Sequence, residues 1–306
     1  MNESKNIGYT YQANLHRILN FGKEVSPRGM LTKEILGAQI RLDDSAQCVL
    51  TLPTRKLNYA FSVAEWLWML FGRNDVRFIS VFNSQIGKFS DNGETFAGAY
   101  GPMITSQLEY VYNSLKKDKD SRQAISINWR PNPGPSKDIP CTIGYHFLIR
   151  DNKLNLITWM RSNDLWLGTP YDIFNFCQIQ NFLAGLLGIE RGSYIHNADS
   201  LHLYEQHFEI ARKVVNDNNW IGIKTNAIEL PNVGFDTYLY YKSTFHNSLF
   251  IEGLLSGQLA DDNIDIMFPI GLREHVKLLN NYCKKDKSHL NTEFWEPVYT
   301  SIKEQA

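Results

Sequence analysis

The sequence predicts a mixed α/β (α+β) chain, strands covered by helices, on three observations. Two apolar, β-rich runs, Thr142–Ile149 and Leu154–Met160, flank Arg150-Asp151-Asn152-Lys153, whose central Asp-Asn suits a tight hairpin turn. Two apolar segments, Ala60–Phe71 before Gly72 and Tyr171–Leu187 before Gly188, read as buried helices with C-terminal glycines. Finally, 43% hydrophobic and 13% aromatic residues over 306 positions supply an ordered core for one large domain or two modest ones.

The remaining elements follow from pattern. Ile35–Leu42 reads as a strand broken by Asp43-Asp44. Thr105–Lys117 carries Leu108, Val111, Tyr112 and Leu115 on one side of a helix, and Ile125, Ile127 and Trp129 alternate with polar residues as in a strand. The segment Pro131-Asn132-Pro133-Gly134-Pro135 is a loop inside a domain, with no repeat or linker elsewhere. A further helix is expected over His202–Val215, and the last sixty or so residues read as helical.

Charge and targeting narrow the function. With 31 Lys+Arg against 32 Asp+Glu, the chain lacks the excess base of a nucleic-acid backbone binder, though a small anion such as a mononucleotide still fits. The start, Met1 to Asn6, leads into no apolar signal region, and Ala64–Phe71 and Phe182–Ile189 are too short to cross a bilayer. Cys48, Cys141, Cys177 and Cys283 are spaced too irregularly for a disulfide framework, and neither Cys-x-x-Cys nor His-Glu-x-x-His occurs, so no metal site is expected. The expected address is the cytoplasm.

The hairpin brings chemistry together. If Arg150 faces Lys153, Cys141 lies opposite Ser162 and diagonal to Arg161, within roughly 5–8 Å across the ladder. A guanidinium favours the thiolate, and a forked guanidinium beside a hydroxyl suits a phosphate. Taken singly, these residues are ordinary: a core cysteine, a solvated strand end at Arg161-Ser162-Asn163-Asp164, and surface arginines at Arg28 and Arg122. Asp172, two residues after Pro170, fits a helix N-terminal acid interacting with the dipole. Glu65, inside Ala64-Glu65-Trp66-Leu67-Trp68, is costly to bury without a partner or a proton. His202-Leu203-Tyr204 reads either as sugar-contacting groups or as a helix start, and Lys116–Asp120 and Lys284–Lys287 as solvated faces.

In order and spacing, Pro140-Cys141, Met160-Arg161-Ser162-Asn163-Asp164, Leu167-Gly168-Thr169-Pro170-Tyr171-Asp172 and His202-Leu203-Tyr204 resemble the thymidylate synthase family. So do Arg28, Glu65-Trp66-Leu67-Trp68, Ala99-Tyr100-Gly101 and Asp120-Ser121-Arg122, from about Gly22 to about Ile210. The resemblance implies one domain over residues 1–306, built on a large mixed sheet covered by helices, with sheet-to-sheet homodimers and a helical C-terminal extension from about residue 215. It also implies site roles. Cys141 is the nucleophile towards C6 of a pyrimidine, with Glu65, Tyr100 and Asp172 as the other catalytic groups. Arg28, Arg161 and Ser162 hold the 5′-phosphate, and Arg122 reaches the site of the neighbouring subunit. Asp164 and Asp172 meet the base, His202 and Tyr204 the ribose, and Asp164 and Gly168 the folate. The implied ligands are a pyrimidine nucleoside monophosphate and 5,10-methylenetetrahydrofolate, without metal.

Departures from the family pattern set the expected substrate. Synthases carry Asn at the position of Asp172, where an amide both accepts from and donates to uracil. A carboxyl suits cytosine instead, accepting from its amino group and sharing a proton with the ring nitrogen. Asp172, Thr142, Met160 and Ser200-Leu201-His202 are similar to the deoxycytidylate hydroxymethylase branch. The tryptophan segment that synthases place before Tyr100 is replaced by Val81-Phe82-Asn83-Ser84-Gln85, and the end Ser301–Ala306 lacks the synthase lid. Both features exclude water in synthases, so the expectation is hydroxymethylation of CMP or dCMP. The competing expectations are a cytidylate or deoxyuridylate methylase and a non-catalytic nucleotide- or RNA-binding relative.

Overall fold

Asn6 opens the first helix, α1 (Ile7–Phe21), by accepting from the Tyr9 amide at 3.0 Å, which satisfies a free N–H of the first turn. In this computed structural model the described residues are 6–217, 219, 222–230, 234–286, 295–298 and 300. Strand β1 (Lys23–Val25) turns back into β2 (Thr32–Leu42). Asn58 caps α2 (Tyr59–Leu70), which Gly72 stops at φ 77°, a left-handed conformation that favours glycine. Helices α3 (Val76–Phe82) and α4 (Tyr100–Lys117) precede β3 (Ile125–Ile127) and the hairpin β4 (Thr142–Arg150)–β5 (Lys153–Met160). Asp151 and Asn152 both take positive φ, 53° and 54°, as the predicted two-residue turn requires. The two-residue β6 (Asn163–Asp164) leads to α5 (Thr169–Leu187), ended by left-handed Gly188, and then β7 (Glu190–Tyr204). Helices α6 (Phe208–Val215), α7 (Phe235–His246), α8 (Ser248–Leu255), α9 (Asp261–Met267) and α10 (Arg273–Cys283) follow.

The strands form one mixed sheet in the order β1-β2-β7-β5-β4-β3, with β6 beside β7. Its inner face buries Ala38, Ile40, Tyr145, Phe147, Leu154, Leu156, Tyr194 and Ala198, and α1, α4 and α5 pack against it. The other face leaves Trp159 and Ile127 exposed, with Gln39 hydrogen-bonded to Asn197 beside them. Helix α5 is almost wholly buried, so its polar residues need internal partners. Gln180 donates to the carbonyls of Leu154 (2.6 Å) and Ser193 (3.1 Å), and Asn181 to that of Asn226 (2.9 Å), tying the helix to the sheet and to the following segment.

The structure corrects four readings of pattern. His202–Tyr204 are not a helix start: they end β7, the longest strand, and the helix begins only at Phe208. Its inward positions include Gly192, His196 and Ala198, and Ile195 lies on the outer face, so hydrophobicity alternates only weakly along β7. In β3 the buried residue is Ser126, while Ile127 faces outward and Trp129 lies beyond the strand. Helix α4 starts at Tyr100 rather than Thr105, carrying Pro102 in its first turn, where a missing N–H costs nothing. The C-terminal extension is helical from Phe235, but residues 222–230 have no regular structure. The tail Ser301–Ala306 lies outside the described residues. Among the described residues, no helix is long and apolar enough to cross a membrane.

The C-terminal helices pack on the rest of the chain, with α10 against α2 and α7 against α5. Trp295 is fully buried between Tyr59, Phe174 and His275, and its Nε1 donates to His275 Nδ1 at 3.3 Å. Burial pushes His275 down to about 3, so the ring is neutral and can accept. Trp295→Ala is therefore expected to destabilise the fold by about 3–5 kcal/mol, measured by chemical denaturation.

Candidate active site

The N-terminal end of β4, the C-terminal ends of β5 and β7, and β6 meet at one end of the sheet. A bulge decides what faces what. Ile143 is the extra residue, and its carbonyl accepts from both Asn128 N (2.8 Å) and Trp129 N (3.1 Å). The register slips by one there, so Arg161, not Ser162, lies directly opposite Cys141: Arg161 N donates to Cys141 O at 2.9 Å. Uniform pairing from the turn could not foresee that slip. The Arg161 guanidinium donates to the carbonyls of Pro140 (3.0 Å) and Ile139 (3.1 Å), has Nη2 3.8 Å from Cys141 Sγ, and lies over Trp129.

The electrostatics at Cys141 also differ from the expectation. Burial pushes the thiol up, Arg161 opposes that rise, and the carboxyls of Asp172 and Asp138 add to it. The net direction is upward, because desolvation of the thiolate outweighs the guanidiniums of Arg161, already shared with two carbonyls, and Arg28. Tyr100, whose hydroxyl accepts from Thr142 N at 3.3 Å, is raised well above its ordinary value, chiefly by burial, and stays a neutral O–H.

Two carboxyls approach from the helices. Glu65 projects from α2 and accepts from Asn175 Nδ2 at 2.7 Å. Burial first, and then the Asp172 carboxyl, raises it to about 8, with Asn175 opposing. Asp172, in the first turn of α5, accepts from Asn163 Nδ2 at 2.8 Å. Burial raises it to about 7; Asn163 works against that rise and Asp164 with it. The helix dipole therefore does not fully ionise Asp172, as an exposed N-terminal acid would be. Gly168 permits this contact, since a Cβ there would meet Asp172 Oδ2 at 3.0 Å and Asn163 Nδ2 at 3.1 Å.

These shifts carry a stability prediction. In the unfolded chain Glu65 ionises near pH ~4.3, whereas in the fold it keeps its proton to about 8. Between those values the unfolded chain binds fewer protons, so stability falls as pH rises. Glu65→Gln is expected to flatten that decline and to raise the melting temperature at pH 8 relative to the parent, measured by thermal melts across pH.

The remaining predicted residues divide into two groups. Arg28, at φ 57° in the turn between β1 and β2, donates to Tyr204 OH at 3.4 Å. Tyr204 and His202 share one face of β7 with their rings 5.3 Å apart, and Asp164 pairs with His202 across β6–β7. Asp164 Oδ1 accepts from the amides of Trp166 (2.7 Å) and Leu167 (3.1 Å), shaping the loop to Gly168. Ser162 is half-buried beside Arg161. Arg122 stands apart. It precedes β3, whose first residue pairs with His146, five positions along β4 from Cys141, about 15 Å or more away. None of the described ion pairs involves Arg28, Arg122 or Arg161, so no described carboxylate neutralises these three cations.

Sequence reasoning missed Asn163, His196 and Asn175 as parts of this site. His196 is fully buried in β7, in a stretch to which the sequence pattern assigned no element.

Fold and site together define an α/β protein in which Cys141, Arg161 and two proton-retaining carboxyls gather at one end of a mixed sheet. The sequence model of a family described as thymidylate synthase matches residues 9–229, wider at both ends than the motifs themselves. The chain is also 33% identical over 244 residues to the deoxyuridylate hydroxymethyltransferase of Bacillus phage SP01, a match covering 73% of this chain. That match spans 63% of the phage protein's length. The chain belongs to the thymidylate synthase family.

Proposed function

We propose that this protein is a folate-dependent cytidylate 5-hydroxymethyltransferase. It converts CMP or dCMP, 5,10-methylenetetrahydrofolate and water to the 5-hydroxymethyl nucleotide and tetrahydrofolate. Arg28, Arg161 and Ser162 hold the 5′-phosphate, and His202 and Tyr204 meet the sugar. Cys141 Sγ adds to C6 of the ring, which makes C5 nucleophilic. Methylenetetrahydrofolate supplies a one-carbon unit at the oxidation level of formaldehyde. Asp164 and Gly168 line its place, and Glu65 and Tyr100 move the protons. Water then adds to the methylene carbon on C5, so nothing is oxidised or reduced overall. A methyl product would instead require hydride and leave dihydrofolate.

Asp172 is the observation that carries the base assignment. A carboxyl that retains its proton to about 7, beside Cys141, suits a ring nitrogen that gains basicity as the thiolate adds. Uracil carries an N–H in that place, with a weakly basic carbonyl oxygen beside it, and takes no proton there. One finding favours a second reading: a neutral acid both donates and accepts, as uracil's edge requires, and the phage relative is named for deoxyuridylate. The test is mass spectrometry of parallel reactions with CMP, dCMP and dUMP. A hydroxymethylated cytidylate is the expected product, and turnover of dUMP alone would replace this reading with the second.

The distance of Arg122 from Cys141, and the exposed Trp159 and Ile127 on the open sheet face, support a homodimer in which Arg122 serves the neighbouring site. On this reading residues 1–306 act as one domain. Arg122→Ala and Cys141→Ser chains, each inactive, are expected to regain activity when mixed, because one site of the heterodimer draws both intact residues. No recovery in mixtures shown to exchange subunits would rule out a shared site.

A further inference from the structure

Asp172 does not stand alone, and what stands behind it has no part in the reaction proposed above. Asn163 Nδ2 donates to Asp172 Oδ2 at 2.8 Å. On its other side, Asn163 Oδ1 accepts from Thr169 Oγ1 and from His196 Nε2, the latter at 3.0 Å. His196 Nδ1 lies 2.7 Å from the hydroxyl of Tyr194. Asn163, Thr169, His196 and Tyr194 are all buried.

The directions in this chain agree with one another. Burial pushes His196 down to about 3, so it carries a single proton. Asn163 Oδ1 can only accept, which puts that proton on Nε2 and leaves Nδ1 to accept from Tyr194. In this arrangement the Thr169 hydroxyl is also within reach of the Asp164 carbonyl (3.1 Å), and the Asn163 NH2 faces Asp172.

Resting on the cytidylate reading above, we infer that Asn163 and His196 are positioning residues that make Asp172 a directed proton donor to the pyrimidine. Because Oδ2 accepts from Asn163, the Asp172 proton resides on Oδ1. When Oδ1–H passes its proton to the ring nitrogen, the O–H bond breaks and an N–H bond forms. The carboxylate left behind is stabilised through Oδ2 by Asn163. An acid that gives up its proton in this way separates cytosine, which takes it, from uracil, which does not. Glu65 on α2, Tyr100 on α4, Cys141 and Tyr145 at β4, Asp164 on β6 and Tyr194 on β7 all sense the Asp172 charge. None of the six is cationic, so the donated N–H opposes the desolvation.

The test compares Asn163→Ala, His196→Leu and His196→Gln with Asp172→Asn, reading kcat and KM on dCMP and dUMP across pH. Asn163→Ala is expected to lower kcat for dCMP, to cut the dCMP-to-dUMP ratio of kcat/KM about tenfold, and to move the Asp172 limb of the pH profile upward. His196→Leu should act in the same direction. His196→Gln, which keeps an N–H near Nε2, should restore most of the ratio and guards against a variant that merely folds poorly. A ratio and pH profile unchanged in Asn163→Ala and His196→Leu, while Asp172→Asn shifts the ratio, would overturn the positioning role alone. If Asp172→Asn leaves the ratio unmoved, the cytidylate reading fails, and this inference with it.

Discussion

Cys141→Ser is expected to lower turnover by more than about 10³-fold while leaving the fold and nucleotide binding intact. The serine oxygen is isosteric with sulfur, but it lacks the proton lability and polarisability that let a thiolate add to a pyrimidine ring. Arg28 and Arg161 are untouched, so nucleotide should still raise the melting temperature. The parent should form a nucleotide adduct at Cys141, visible as an added mass on the intact chain, and the variant none. Because burial raises the Cys141 thiol, the free protein should react slowly with iodoacetamide at neutral pH. An active Cys141→Ser enzyme would remove covalent catalysis from the account.

Asp172→Asn carries the second large effect. The amide cannot pass a proton to the cytosine ring nitrogen, and it keeps the donor and acceptor that uracil's edge uses. Each mismatched buried group costs on the order of 1–3 kcal/mol, so cytidylate use should fall by about 10- to 200-fold. Deoxyuridylate use should rise relative to it. Steady-state kinetics on both nucleotides read the change, and an unchanged preference contradicts the assignment of Asp172 to the base. Circular dichroism distinguishes this from unfolding, since Asn163 can still donate to the amide oxygen.

How much of this was legible in the sequence depended on how local each feature is. The β4–β5 hairpin and the ends of α2 and α5 were, because Asp151-Asn152, Gly72 and Gly188 write their backbone conformations into the sequence. So was the proximity of Cys141 and Arg161, and the need of Glu65 for a partner or proton. The Ile143 bulge was not, because it arises from Asn128 and Trp129 pairing with one carbonyl across the sheet. β7 was missed because its inward positions include Gly192, His196 and Ala198 while Ile195 faces outward, so its hydrophobicity barely alternates, and His196 was missed with it. The upward shift at Cys141 depends on how deeply the packed chain buries it, which a hairpin diagram does not contain. The partners of Asn163, though one is six residues away, depend on where β7 places His196, thirty-three positions on.

Water capture is the central chemical claim, and isotope tracing tests it most directly. The enzyme is incubated with dCMP and methylenetetrahydrofolate in 18O-labelled water, and both products are weighed. The account predicts a hydroxymethyl nucleotide carrying the label, with tetrahydrofolate formed in equal amount. A methylated nucleotide accompanied by dihydrofolate would contradict it, and would mean that hydride rather than water completes the reaction.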